Sequence, residues 1–197
     1  MPVLISLLRG VNVVGKNQIK MDQLRALYEE LGFADVRSYL QSGNVLFKTR
    51  ERSLPRLAQR IEDAIAARFE CNPVVVFRTV DEMRAAIANS PFATRTDVVP
   101  GCHIVMFLAG TPDAAGRDRV GGMDTAGEEL YLAERELYIH FRNGMGRSKL
   151  STLKIENWLK TPGTARNWNT VTNLLTIAEE MSGPAKNPGT LPRAKRK

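Results

Sequence analysis

Side chains suited to binding an anion are concentrated in three segments of this 197-residue sequence. The first segment runs from Arg9 to Lys20 between two apolar patterns, and its 12 residues make it about twice as long as a usual connection. It holds three cations and no acid. Long ordered loops are often functional, so the segment predicts one side of a ligand site, formed by Arg9, Asn12 and Lys16. The alternative is a surface loop with solvated cations.

The same segment nearly matches the phosphate-binding loop of nucleoside triphosphatases. Gly10 and Gly15-Lys16 have the required spacing after an apolar run. Asn17, however, stands where that loop needs a hydroxyl for Mg²⁺, and β-branched valines at positions 11, 13 and 14 occupy places that favour small residues. A nucleoside triphosphate hydrolase is therefore the least favoured function.

The second segment is Gln41-Ser42-Gly43-Asn44, which lies between two predicted strands. Its residue types suit a tight turn, and that structural role is sufficient to explain them. Three of the four side chains also carry uncharged hydrogen-bonding groups, which ligand sites use for orientation. Gln41, Ser42 and Asn44 are therefore predicted to contact a ligand.

The third segment is the basic region between residues 142 and 170. Residues 142–166 contain six basic residues and one acid, Glu156. Arg166 and Asn167 are predicted at the start of a helix, where free amides and the helix dipole favour an anion. In the alternative, Asn167 only caps the helix and the arginines are solvated. The ligand-binding residues predicted here are Arg147, Ser148, Lys149, Arg166, Asn167 and Asn169.

Other chemistry finds little support in the residue types. His103 and His140 are predicted to be structural, and Cys71 and Cys102 have no metal-binding spacing. We therefore predict no metal and no cofactor, and no catalytic residue is identified. The acids around a predicted hairpin are expected to be solvated: Glu128, Glu129, Glu134 and Glu136.

The basic excess is unevenly distributed along the chain. The formal net charge is +7, and residues 183–197 hold five basic residues and no acid. Most of the excess thus belongs to a basic segment that we predict to be a flexible tail. In the remainder, the positive charge is concentrated in the first and third segments, which indicates local anion sites. Nucleic acid is one form of such a ligand, with the tail adding sequence-independent phosphate contacts.

The elements that must position these segments form two units. Apolar periodicity predicts the order β-α-β-β-α-β and a further short helix within residues 1–92, the arrangement of a split-βαβ or ferredoxin-like subdomain. The short helix is predicted to open with a capping box of Thr79 and Glu82. Residues 93–182 read β-α-β-β-α-α, with Thr111 as the predicted cap of the first helix and no obvious closing strand. The predicted fold class is α+β: two ferredoxin-like subdomains with antiparallel sheets and helices on one face, followed by the tail at 183–197.

The hydropathy pattern bears on location. The N-terminal apolar run, Val3–Leu8, is far shorter than the roughly 20 residues of a membrane span and lacks the basic start of a signal peptide. We predict a cytoplasmic protein without membrane contact.

Several strings are similar to those of a bacterial family known as domain of unknown function 1697. They are Leu7-Leu8-Arg9-Gly10-Val11-Asn12, Tyr39-Leu40-Gln41-Ser42-Gly43-Asn44-Val45, Gly146-Arg147-Ser148-Lys149-Leu150 and Gly163-Thr164-Ala165-Arg166-Asn167-Trp168-Asn169. The resemblance covers roughly residues 3–181 and implies two ferredoxin-like subdomains, but no established activity or catalytic residues.

That topology leads to one spatial expectation. We expect the ferredoxin-like topology to place the first segment and the Gln41 turn at opposite ends of a strand pair, so that they need not share a pocket. A cleft between the subdomains could bring one of them to the region of Arg147–Thr170.

The sequence therefore predicts a binding protein for an anionic, phosphate-bearing ligand, either a small molecule or nucleic acid. An enzyme acting on a small phosphorylated substrate is the alternative, with the cations stabilising developing charge. The oligomeric state is not predicted.

Overall fold

The computed structural model describes residues 1–12 and 18–183, which form two four-stranded antiparallel sheets and six α-helices. Lys16 and residues 184–197 of the predicted tail lie outside the described residues. The α+β class and the antiparallel sheets are as predicted.

The first sheet and its helices follow the predicted order closely, and we call these elements the first unit. Their bounds are β1 Val3–Arg9, α1 Met21–Glu30, β2 Ala34–Tyr39, β3 Asn44–Lys48, α2 Leu54–Phe69, β4 Val74–Thr79 and α3 Val80–Ala88. The strand order across the sheet is β2-β3-β1-β4. Thr79 and Glu82 form the predicted capping box at the start of α3, since each side chain accepts a hydrogen bond from the backbone of the other residue.

The second unit repeats this architecture. Its bounds are β5 His103–Leu108, α4 Ala114–Gly121, β6 Glu129–Leu132, β7 Glu136–His140, a 3₁₀ turn Met145–Arg147, α5 Thr152–Leu159, β8 Gly163–Asn167 and α6 Trp168–Ser182. The strand order is β6-β7-β5-β8, the counterpart of the first sheet.

Two details of the second unit correct the prediction. A closing strand is present: β8 pairs antiparallel with β5 along its length, from Gly163 opposite Leu108 to Asn167 opposite Ile104. In addition, α4 begins after Asp113, whose side chain accepts a hydrogen bond from the Gly116 amide, two residues beyond the predicted cap.

Each sheet is covered on its outer face by two helices of its own unit. In the first unit, Leu4, Leu8 and Phe47 pack with the buried residues of α1 and α2. In the second, Ile104, Met106 and Leu108 pack with α4 and α5. The outer core of the first unit follows from the apolar stripes of α1 and α2.

The inner faces of the two sheets share one central core. Alternate residues of β1, namely Ile5 and Leu7, point away from α1 and α2 and pack with Val105 and Phe107 of β5, and α3 and α6 contribute to the same core. The prediction of helices on one face is therefore wrong for α3 and α6. The physical reason is the almost wholly apolar sequence of β1, which requires cover on both faces.

Candidate functional site

The first predicted segment and the Gln41 turn lie side by side. Because β1 and β3 are antiparallel with Leu7 opposite Asn44, the end of β1 is adjacent to the start of β3. The Leu8 amide donates to the Gly43 carbonyl at 2.8 Å. The expectation that the two segments lie at opposite ends of a strand pair is therefore wrong.

Arg166 joins the third segment to this edge of the first sheet. It lies on β8 and not at the start of a helix as predicted, because its backbone pairs with β5. Its side chain is 8% exposed and extends its guanidinium into the first unit. Its Nε donates to Asn44 Oδ1 at 2.5 Å, and its Nη2 donates to the carbonyls of Leu8 and Ser42 at 2.9 and 3.0 Å. The predicted approach of the basic region to one of the first two segments is thus realised through Arg166.

The remaining donors of Arg166 also have neutral partners. Nη1 donates to Thr164 Oγ1 at 2.7 Å and to the Ala165 carbonyl at 2.8 Å. Within residues 1–12 and 18–183, no carboxylate forms an ion pair with this guanidinium. Burial lowers the pKa of Arg166 to about 10, which still leaves it cationic at neutral pH. The hydrogen-bonding capacity of the group is used, but its charge is not neutralised.

Arg166 lies at the wall of a groove between the two units. The cavity volume is about 580 Å³. Apolar and small residues form much of its surface, and hydroxyl groups and three charged side chains are placed among them. The lining residues are Leu8, Arg9, Gly10, Val11, Asn12, Ser42, Thr152, Glu156, Gly163, Thr164, Ala165 and Arg166.

An ion pair between the units lies in the same groove. Arg9, at the end of β1, donates from Nη2 to Glu156 Oε2 of α5 at 2.7 Å. The side chain of Arg9 is 38% exposed and that of Glu156 is 14% exposed. Arg9 and Glu156 balance each other, so Arg166 supplies the excess positive charge of the groove.

Arg78 makes the counterpart of the Arg166 arrangement elsewhere between the two units. It lies on β4 of the first unit and reaches the second, with Nη2 donating to the carbonyls of Leu108 and Arg135 at 3.0 and 2.9 Å. Nη1 donates to the carbonyl of the preceding residue, Phe77, at 2.7 Å. Its Nε donates to Glu136 Oε1 at 2.8 Å, so this arginine has a carboxylate partner.

The structure assigns several other predicted residues a local role. Asn12 has φ 54° and its side chain contacts both backbone groups of Ile19, as well as donating to the Gln41 carbonyl at 2.7 Å. Asn167 caps α6 by accepting from the Thr170 amide. The side chains of Gln41 and Asn169 are exposed. Asn12 thus closes the base of its loop while also lining the groove.

The 3₁₀ segment contributes less than predicted to the arrangement. Arg147 and Lys149 are exposed and Ser148 is half-buried, and all three lie outside the lining of the groove. Lys16 lies outside the described residues, so the structure does not address its predicted contact. The groove combines Arg9, Asn12, Ser42 and Arg166, with Asn44 directly behind Arg166.

Sequence reasoning missed Thr164 and treated Glu156 only as an exception to the basic charge. Thr164 is buried and accepts from Arg166 while its hydroxyl donates to the Leu8 carbonyl at 3.3 Å. The signal for Glu156 was present, because it is the one acid among residues 142–166.

The hairpin acids are also more engaged than predicted. Glu136 pairs with the buried Arg78, and Glu129 contacts both Arg95 and His140, which hold the pKa of Glu129 down at about 2. These carboxylates are therefore not simply solvated. They face buried or half-buried cations that the sequence pattern did not place near them.

The two histidines pack as structural side chains. His103 stacks on Trp168 with ring centroids 4.2 Å apart, and its Nε2 lies 3.1 Å from Ser90 Oγ. Burial, and then the charge of His140, lower the pKa of His103 to about 4. Among the described residues, no acid contacts His103, so Ser90 and His103 do not form a catalytic triad.

The described residues contain neither a metal-binding cluster nor a membrane-crossing helix. In the described parts of the chain, no group of three or more His, Cys, Asp or Glu side chains could hold a metal ion. None of the helices in residues 1–12 and 18–183 has the length and apolar character that a membrane crossing requires.

Comparisons with known proteins identify a family and a fold. A family model described as "Protein of unknown function (DUF1697)" matches residues 1–138. The chain is similar to a solved structure, the conserved bacterial protein SP0830 from Streptococcus pneumoniae, with a TM-score of 0.65 and 22% sequence identity over 90% of this chain and 99% of that one. At this identity the likeness shows the fold alone. No curated protein matches the chain.

Proposed function

This chain belongs to the DUF1697 family of proteins of unknown function, and on that premise we propose that it binds a small anionic, phosphate-bearing ligand in the groove between its two units. The observation that carries the proposal is the buried guanidinium of Arg166, which lines the groove and whose acceptors within residues 1–12 and 18–183 are all neutral. Buried charges are normally paired with an opposite charge. An anion in the groove would supply the missing countercharge.

Charge attraction to Arg166 favours the binding of an anion in the groove. A unit negative charge about 6 Å from the guanidinium gains roughly 3 kcal/mol at an effective dielectric constant of about 20. The ligand need not displace any hydrogen bond of Arg166, because the interaction acts through charge. Arg9 is more exposed and can contact the ligand directly, with Glu156 as its partner in the free protein.

The size and surface of the groove favour a small ligand over nucleic acid. Its volume of about 580 Å³ lies within the usual range for small-molecule pockets, about 300–1,000 Å³. Leu8, Val11 and Ala165 provide apolar surface for the body of an organic phosphate. Binding of nucleic acid through the basic tail would be a separate activity, which the oligonucleotide titration described below detects.

The architecture supports a finer description of the fold. We infer that each unit is a ferredoxin-like subdomain, since both sheets have the order second-third-first-fourth strand. We place the boundary near residues 92 and 93, with the second subdomain ending at residue 182. The groove then lies between subdomains, a common position for ligand sites.

The test is a calorimetric titration of the full chain with inorganic phosphate, pyrophosphate and a short single-stranded oligonucleotide. We expect phosphate or pyrophosphate to bind with an affinity that falls as salt rises. Arg9→Gln should weaken this binding at least about tenfold, or ~1.4 kcal/mol, because it removes one cation and leaves Glu156 unpaired beside the anion.

Arg56→Gln is the matched control, since it removes one exposed cation at the start of α2. This helix begins beside Lys48, at the end of β3 away from Asn44. Equal weakening in both variants, or no anion binding by the wild-type chain, would contradict the proposal. Oligonucleotide binding that disappears on deletion of residues 186–197 would instead belong to the tail.

A further inference from the structure

Two arginine clusters between the units, those of Arg166 and Arg78, provide an internal comparison for the groove. Asn44 and Glu136 occupy equivalent positions, since each is the first residue of the third strand of its unit. Asn44 lies opposite Leu7 of β1, and Glu136 lies opposite Phe107 of β5. Both side chains accept a hydrogen bond from the Nε of an arginine on the last strand of the other unit.

The two arginines are equivalent in register as well. Arg78 lies opposite Ile5, the third residue of β1, and Arg166 lies opposite Val105, the third residue of β5. The main difference between the two clusters is the charge of the acceptor. Glu136 neutralises Arg78, whereas the amide of Asn44 leaves Arg166 with its full charge.

We propose that Asn44 is the residue that makes the groove selective for anions. This inference rests on the proposed function, because it assigns the charge preference of the same site to one side chain. The contact of Arg78 with Glu136 shows that a carboxylate can occupy this position of the fold and hold the arginine with similar geometry. An amide at position 44 is therefore not required in order to hold Arg166.

The environment of Asn44 shows what an acid at this position would change. The side chain of Asn44 is fully buried, and its Nδ2 donates to the Tyr39 carbonyl and to Ser42 Oγ, both at 2.9 Å. In Asn44→Asp, the Ser42 hydroxyl can rotate and donate to the new carboxylate oxygen. The hydrogen bond to the Tyr39 carbonyl is then the one that is lost. The attraction between the new carboxylate and Arg166 opposes this loss.

The experiment compares Asn44→Asp with Asn44→Ala, using inorganic phosphate and pyrophosphate as probes in calorimetry. Both variants lose the hydrogen bonds of Nδ2, but only Asn44→Asp neutralises Arg166. We expect Asn44→Asp to weaken anion binding at least about tenfold, or ~1.4 kcal/mol. Asn44→Ala should weaken it by less than about threefold, which corresponds to ~0.7 kcal/mol.

Glu136→Gln serves as the reciprocal control. Arg78 is 1% exposed and lies outside the lining of the groove, so this variant should leave phosphate affinity unchanged. Circular dichroism and tryptophan fluorescence establish that each variant is folded. If Asn44→Asp does not fold, Asn44→Glu compared with Asn44→Gln varies the charge at the same position, where the equivalent residue of the second unit is Glu136, and the same loss is expected for Asn44→Glu.

The outcomes separate this inference from the proposed function. If the wild-type chain binds neither phosphate nor pyrophosphate, both the proposed function and the role of Asn44 are overturned. Wild-type binding that Asn44→Asp retains overturns only the role of Asn44. Equal losses in Asn44→Asp and Asn44→Ala also overturn it, because they would show that the shape of the asparagine matters and its lack of charge does not.

Discussion

Replacement of Arg166 by methionine tests whether the buried guanidinium holds the two units together. The change removes five donors while keeping a long side chain of apolar volume. Asn44 Oδ1 loses its donor in a fully buried position. The Leu8 carbonyl keeps a hydrogen bond from Thr164 Oγ1, and the carbonyls of Ser42 and Ala165 are only partly buried, so water from the groove can reach them.

The magnitude follows from the five acceptors that lose a donor, the fifth being Thr164 Oγ1. One buried acceptor without a donor costs about 1–3 kcal/mol. The weaker hydrogen bonding of the partly buried carbonyls adds to this cost, while removal of an unpaired buried charge offsets some of it. We expect a net loss of about 2–3 kcal/mol in the free energy of unfolding, a substantial part of the roughly 5–15 kcal/mol typical of a folded domain.

Urea unfolding followed by the fluorescence of Trp158 and Trp168 measures this loss. The midpoint should fall and the slope of free energy against urea should stay constant, since the surface exposed on unfolding is similar. Arg56→Met, which alters an exposed residue of α2, should leave the midpoint close to that of the wild type. A midpoint for Arg166→Met as high as that of Arg56→Met would refute the reasoning.

Two further predictions concern stability. Between pH 7.5 and 5 the unfolded chain binds more protons at His103 than the folded chain, whose His103 pKa is lowered from 6.5 to about 4. The free energy of unfolding should therefore fall by about 2 kcal/mol as pH decreases over this range. His103→Phe keeps a ring against Trp168 and should remove most of that fall. Urea titrations at pH 7.5 and pH 5 measure both effects. Gly43 has φ +70°, and an added Cβ would lie 2.8 Å from the Cβ of Leu8. Gly43→Ala should lower the free energy of unfolding by at least about 2 kcal/mol in the same assay, whereas Gly101→Ala, where the added Cβ meets no atom within 4 Å, should change it little; similar values for the two variants would contradict this prediction.

The sequence predicted elements well where one chain segment contains the whole pattern. The apolar stripe of α1 and the capping box of Thr79 and Glu82 are local signals, and the structure confirms both. Strand β8 was missed because Gly163–Asn167 is short and mostly polar, so that its extended conformation depends on pairing with β5. The predicted boundaries of the subdomains, the flexible tail and the cytoplasmic location stay predictions.

The groove was predictable in its parts but not in its assembly. Arg9, Ser42 and Arg166 were singled out by residue type, and the structure brings them together in one lining. Their meeting depends on the antiparallel pairing of β1 with β3 and on the packing of two sheets, neither of which a local pattern contains. One local feature of the sequence pointed to the role of Arg78. This charged residue directly follows the apolar run Val74–Phe77 on the same strand, which indicates a buried partner.

The shared central core has a consequence for biosynthesis. Strand β1 is complete at residue 9, but helix α6, which packs against its inner face, is complete only at residue 182. At translation rates of about 5–20 residues per second, the inner side of the first sheet waits roughly 10–35 s for that cover. During this interval Ile5, Leu7, Leu46 and Val76 form an apolar surface on the nascent chain. The cover of the inner face is thus complete only after the last helix has emerged from the ribosome.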